Sequence, residues 1–172
     1  MGEEASVGDF VEVYHDALPA ALCAAIVARF DADASQRPGQ VGGGVFPDLK
    51  HSRDISLQGR ADWADVEGAL NRAVFQALLR YVRRYPHMLI APLMFEVQGE
   101  DGRRRRITAE DLAAADDGGV ARLLEHALRP GWINLQRYEP GVGGYPYWHC
   151  ELFPRAPDAE TLHRHLLWTV YL

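Results

Sequence analysis

Apolar residues fall four apart at Leu22, Ile26 and Phe30, just after Leu18-Pro19. That spacing marks one face of an α-helix, and proline is tolerated in a first helical turn. The same interval returns at Val66, Leu70, Val74, Leu78 and Val82, and predicts the longest helix over Asp62–Tyr85, closed by Pro86. Alternation of apolar and polar positions predicts short strands at Phe10–Tyr14 and Ser52–Leu57, and the apolar run Leu89–Val97 reads as extended. Asp31–Pro47 is polar, contains Gly42-Gly43-Gly44 and reads as a loop, either a flexible lid or a plain linker. Thr108-Ala109-Glu110-Asp111 has the form of a capping box that opens a short helix. Gly118-Gly119 then interrupts the helical pattern, which resumes over Val120–Leu128.

The last third changes character. Trp132–Tyr138, Tyr147–Phe153 and His165–Leu172 are rich in aromatic and branched residues, as strands are, and Gly141–Gly144 and Pro154–Pro157 separate them. Helices early and strands late predict an α+β fold rather than alternating β/α units. A chain of 172 residues suits a single domain. Its helical part is expected over about 1–130, leading into strands over about 131–172.

Composition narrows the function classes. The net charge of −6 argues against general nucleic-acid affinity. The basic run Arg103–Arg106 is flanked by Glu100-Asp101 and Glu110-Asp111, so it reads as a solvated loop. Met1–Phe10 is acidic and lacks an apolar signal core, and no apolar run is long enough to span a bilayer. The expectation is a soluble, cytoplasmic protein without nucleic-acid or membrane partners. Cys23 and Cys150 are too few and too far apart for a disulfide framework. Cys23 is expected in the core, and Cys150 behind a strand whose other face carries chemistry.

That chemistry is suggested by His149-Cys150-Glu151. Side chains two apart on a strand point the same way, so His149 and Glu151 can offer a nitrogen and a carboxylate to one metal ion. Two histidines and a carboxylate on one face of Fe(II) leave positions open for a chelating cosubstrate and dioxygen. His163 and His165, also two apart, could join His149 and Glu151 in a cupin-like metal site. His15, His51, His87 and His126 show no paired spacing and read as structural or exposed, while Trp132 and Trp148 are expected to pack a barrel.

The surrounding residues carry a family likeness. Leu135-Gln136-Arg137-Tyr138-Glu139-Pro140-Gly141, then Gly144-Tyr145, then Trp148-His149-Cys150-Glu151, resembles the prolyl-4-hydroxylase-like branch of the Fe(II)- and 2-oxoglutarate-dependent dioxygenases. That branch has a strand ending in Tyr, a Pro-Gly turn, a second Tyr and His-x-Asp. Pro140-Gly141 is then expected to reverse the chain, so that two adjacent strands line one cavity. The likeness is fairly specific over Trp132–Leu172 and looser over Val11–Phe30 and Lys50–Leu57.

The resemblance implies helices packed on an antiparallel double-stranded β-helix, a jelly-roll relative. It implies His149 and Glu151 as the first two iron ligands, Tyr138 near the 2-oxoglutarate, and Tyr171 at the cosubstrate's distal carboxylate. The cosubstrate would be decarboxylated to succinate and carbon dioxide while a small molecule or peptide is hydroxylated, with ascorbate as reductant. Glu151 stands where the family has Asp, and a distal histidine and a basic residue have no assignable counterpart before Leu172. An incomplete barrel, from a fragment or a truncated product, is therefore expected. Its unfinished sheet edge would favour self-association or a partner strand. Three further readings remain from the residues: an inactive remnant serving as a binding module, the cupin-like metalloprotein, and an ordinary globular protein in which His-Cys-Glu is incidental.

Overall fold

The apolar stripes form the helices they predict. The structure, a computed structural model, describes residues 6–8, 10–93, 95–99, 101–152 and 160–172. In chain order the elements are β1 (Ser6–Gly8), β2 (Val11–Glu12), α1 (Ala20–Ala32), β3 (Arg37–Pro38), β4 (Arg53–Ser56), a 3-10 turn (Ala61–Trp63), α2 (Ala64–Arg84) and α3 (His87–Leu93). They continue with β5 (Glu96–Gln98), β6 (Arg104–Arg106), α4 (Ala109–Ala114), α5 (Asp117–Ala127), β7 (Asn134–Arg137) and a second 3-10 turn (Glu160–His163). The strands make small antiparallel sheets, β1-β2, β3-β4-β7 and β5-β6. The fold is thus mixed α+β, with no closed barrel among the described residues. No described helix is long and apolar enough to cross a membrane.

The chain divides into two compact units, Met1–Pro19 with Asp65–Gly131, and Ala20–Ala64 with Trp132–Leu172. The first is organised around Val82, Leu89, Ile107, Leu112, Val120 and Leu124. Leu89 lies in a helix, not the extended run expected for Leu89–Val97, and only Glu96–Gln98 is strand. The physical reason is Pro86. It closes α2 and its carbonyl then accepts from Leu89 N at 3.0 Å and Ile90 N at 3.2 Å, starting a new turn. A short apolar run fits either structure, and this local start decides it.

Two other expectations change here. The arginine run is a strand: Arg104–Arg106 pairs with Glu96–Gln98, and exposure of all three arginines lets a charged sequence pair without burying charge. Gly118 and Gly119 lie inside the first turn of α5, because the Asp116 side chain accepts from Gly119 N at 2.7 Å and caps the helix just ahead of them.

The capping box of α4 is present as predicted. Thr108 Oγ1 accepts from Asp111 N at 3.3 Å, and Asp111 Oδ2 accepts from Thr108 N at 2.8 Å. Replacing Thr108 by alanine is expected to cost about 1 kcal/mol. The measurement is a urea unfolding curve with a lower midpoint and an unchanged slope; an unmoved midpoint would show the cap to be dispensable.

The second unit has β4 at the centre of its three-stranded sheet. Strict alternation along β4 and β7 buries Ile55 against its ladder partner Leu135 and turns Asp54 and Gln136 to the other face. Ile26, Phe30, Leu57, Trp63 and Ile133 are also buried. Gly42-Gly43 is a tight two-residue turn and not a lid. Both residues have positive φ, 58° and 85°, and Val41 and Gly44 exchange backbone hydrogen bonds at 2.8 and 3.0 Å. Cys23, expected in the core, is half-buried.

Of the three late strands expected, one forms: β7, within Trp132–Tyr138. Tyr147–Leu152 is irregular, as is Arg164–Leu172, while Phe153 and Pro154–Pro157 lie outside the described residues. Aromatic and branched composition favours a half-buried pleated surface and does not by itself supply a ladder partner. Burial still alternates along Leu166–Tyr171, where Leu166, Trp168 and Val170 are half-buried and Leu167 and Tyr171 exposed. Trp132 and Trp148, expected to pack a barrel, are exposed, and so is Cys150, expected behind the strand.

Candidate functional site

The polar face of the β3-β4-β7 sheet carries a connected set of side chains. Asp54 accepts from Ser52 Oγ at 2.7 Å and from Gln136 Nε2 at 3.4 Å, and it pairs with Lys50 Nζ at 2.8 Å. Lys50 is buried, so its ammonium needs this carboxylate. Gly39 is required beside it, since a side chain there would collide with Ser52 Oγ and Lys50 Cε. Tyr138 donates to Gln136 Oε1 at 3.2 Å. Burial, and then the negative charge of Asp54, pushes the Tyr138 phenol above its ordinary pKa, which keeps it a hydrogen-bond donor.

Pro140-Gly141 does not reverse the chain. The backbone leaves the ladder after Arg137, loops through Glu139–Gly143, and returns to the extension of the same strand. There His51 N donates to Gly144 O at 2.8 Å and Gly144 N to His51 O at 3.1 Å. The loop closes through Gly143 N to Glu139 O at 2.7 Å, and a Cβ on Gly143 would run into the backbone of Tyr138 and Glu139. Gly141 has φ of 79°, open to glycine at no steric cost. This loop-out, with His51 Nδ1 near Val142 O at 3.1 Å, brings Tyr145 beside Lys50, whose Nζ lies 5.9 Å from the ring centroid.

Tyr145 in turn stacks on His149, with centroids 4.1 Å apart and planes at 22°. His149 Nδ1 lies 2.8 Å from the Tyr147 carbonyl oxygen. A carbonyl only accepts, so Nδ1 is the donor and a neutral ring presents its lone pair at Nε2. Nε2 faces Glu151 Oε1 at 3.6 Å. The other carboxylate oxygen, Oε2, accepts from Arg164 Nη1 at 2.8 Å, and the same nitrogen donates to Glu151 O at 3.0 Å. One oxygen is thus held and the other points at the imidazole.

His149 and Glu151 meet although they do not lie on a strand. Donors at right angles, each about 2.1 Å from an octahedral ion, stand about 3 Å apart, against 3.6 Å between Nε2 and Oε1 here. Among the described residues, no three His, Cys, Asp or Glu side chains gather as metal donors, and His163 and His165 therefore do not complete a set with this pair. Tyr171 is 91% exposed, and no described hydrogen bond joins it to Tyr138, His149 or Glu151.

Lys50, Ser52, Asp54 and Arg164 were not singled out by sequence reasoning. The alternation of Lys50, Ser52 and Asp54 with Arg53, Ile55 and Leu57 was the available signal; Arg164 left none. No family model, curated protein or solved structure matches the chain.

Proposed function

We propose that this chain is a non-haem iron, 2-oxoglutarate-dependent oxygenase, a hydroxylase of a small molecule or peptide, with its sheet as part of a double-stranded β-helix. The observation that carries the reading is the facing pair, His149 Nε2 and Glu151 Oε1 at 3.6 Å, inside the segment that resembles the family. Bound iron would supply dioxygen activation, with 2-oxoglutarate oxidised to succinate and carbon dioxide, and ascorbate would keep the metal reduced. His149 and Glu151 would hold the iron, and the chelating cosubstrate would supply further ligands.

The chain's own residues have separable tasks. The Tyr147 carbonyl fixes the His149 tautomer, the orienting hydrogen bond that metal-binding histidines commonly make. Arg164 holds Oε2 and leaves one carboxylate oxygen as donor. Tyr138 is assigned to the 2-oxoglutarate on the resemblance, and its O–H, donated here to Gln136 Oε1, would turn to a carboxylate of the oxoacid. Tyr171 is assigned the distal carboxylate on the resemblance alone. The same reading makes this a cytoplasmic protein, in keeping with Cys23 and Cys150 as free thiols.

The test is succinate formation by the purified chain supplied with Fe(II), 2-oxoglutarate, ascorbate and air. Turnover without substrate is expected above the protein-free rate, and Glu151→Ala should reduce it to that rate. If the wild-type chain itself gives no more succinate than the protein-free control, the proposal fails.

A further inference from the structure

We propose that the unit formed by Met1–Pro19 and Asp65–Gly131 contains a second site, a groove that binds small amphipathic carboxylates. The groove lies among β5, α4, α5 and Ile107, is open to solvent, and has a volume of about 500 Å³. Small-molecule sites span about 300–1,000 Å³ and combine an apolar lining with a few placed polar groups. Here the apolar floor is Phe95, Val97, Ile107 and Leu123. Phe95, Val97 and Leu123 pack on the unit's core and stay only half-buried themselves. The floor is therefore continuous with the core yet open to solvent.

Charge selects the ligand. Arg122 and His126 line the groove from α5, four residues apart and so on one face of the helix. Both are exposed; the charge is that of Arg122, which has no ion-pair partner among the described residues, while the His126 ring lies beside Phe95, with centroids 5.6 Å apart. Asp111 is the acidic side chain in the lining, and its charge is already met: Arg105 Nη2 donates to Oδ1 at 2.6 Å and the Thr108 amide donates to Oδ2 at 2.8 Å. Asp111 thus adds little repulsion to an incoming anion, while the guanidinium of Arg122 suits a carboxylate's two oxygens. An apolar body over Phe95 and Leu123, with a carboxylate at Arg122, satisfies both parts of the lining. None of these residues belongs to the proposed iron site.

The experiment is a titration of the ¹⁵N-labelled full chain with sodium decanoate below its micellar concentration, followed by amide shifts. Saturable shifts are expected at Phe95, Val97, Ile107 and Leu123. Arg122→Gln, a change at an exposed position, should weaken binding about tenfold, and decan-1-ol should bind as weakly as decanoate binds that variant. His149→Ala should bind decanoate like the wild type. Three results would each overturn the proposal: shifts scattered over exposed apolar residues such as Trp148 and Leu167, no saturation, or equal affinity in Arg122→Gln.

Discussion

Trp63→Ala is expected to destabilise the protein by about 3–5 kcal/mol, the range for removing a large aromatic from a core. The indole is 1% exposed, so its loss leaves a cavity as well as forfeiting burial. It also removes two polar contacts. Nε1 donates to Asp33 Oδ2 at 2.9 Å, and the Arg29 guanidinium sits 4.4 Å over the ring. Asp33 is the hub of this corner: Ser35 N donates to it at 2.7 Å and Arg60 Nη2 at 2.8 Å. The Ser35 hydrogen bonds, followed by those from Trp63 and Arg60, hold its carboxyl well below the usual carboxylate range. A domain's whole stability is about 5–15 kcal/mol, so the alanine variant should be marginal at room temperature. Trp63→Phe separates the two terms. It keeps most of the ring volume and loses the indole donor with part of the second ring, at a cost of about 1–2 kcal/mol. Chemical denaturation of both variants is the measurement. Equal losses would place the effect in the hydrogen bond and not in packing.

What could be read from the chain follows a physical division between local and non-local order. The helices α1 and α2 were legible because a four-residue apolar interval is a local property, and the Thr108 capping box because its partners are three residues apart. The strand β4 was legible, but its partner β7 lies some eighty residues on, at Asp54↔Gln136, and no local rule names that partner. The Glu139–Gly143 loop-out shows the same limit. Pro-Gly announced a turn, whereas the direction in which the chain left it was fixed by the His51–Gly144 bridge. The β5-β6 ladder was hidden because a run of arginines resembles a solvated loop, and here the exposed arginines form one strand of a hairpin.

The site was legible in a particular sense. His-x-Glu was singled out because alternate residues on a strand share a face. The pair does come together, but on an irregular segment held by the Tyr145 stack, the Tyr147 carbonyl and Arg164. Spacing two apart was thus a sound guide to proximity and a poor guide to the element. Tyr138 was singled out by resemblance, and its partners Gln136 and Asp54 set the phenol's character. Lys50 escaped notice because its burial depends on the salt bridge to Asp54 and on the space left by Gly39, neither of which a composition shows.

The largest functional effect is expected at His149. Its Nε2 is the nitrogen of the proposed pair, and among the described residues no third His, Cys, Asp or Glu stands with the pair to replace it. Tyr145 acts at one remove: it stacks on the ring without offering a donor to the same ion. Removing such an orienting contact typically costs about 10–100-fold in metal affinity, so Tyr145→Ala should weaken the site and keep its spectrum. An anaerobic titration of the chain with Fe(II) in the presence of 2-oxoglutarate, read by metal-to-ligand charge-transfer absorption, measures both effects. A saturable band is expected in the wild type, a band of the same shape but weaker affinity in Tyr145→Ala, and none in His149→Ala. A wild-type chain with no band, or a band that persists unchanged in His149→Ala, would contradict the proposed iron site.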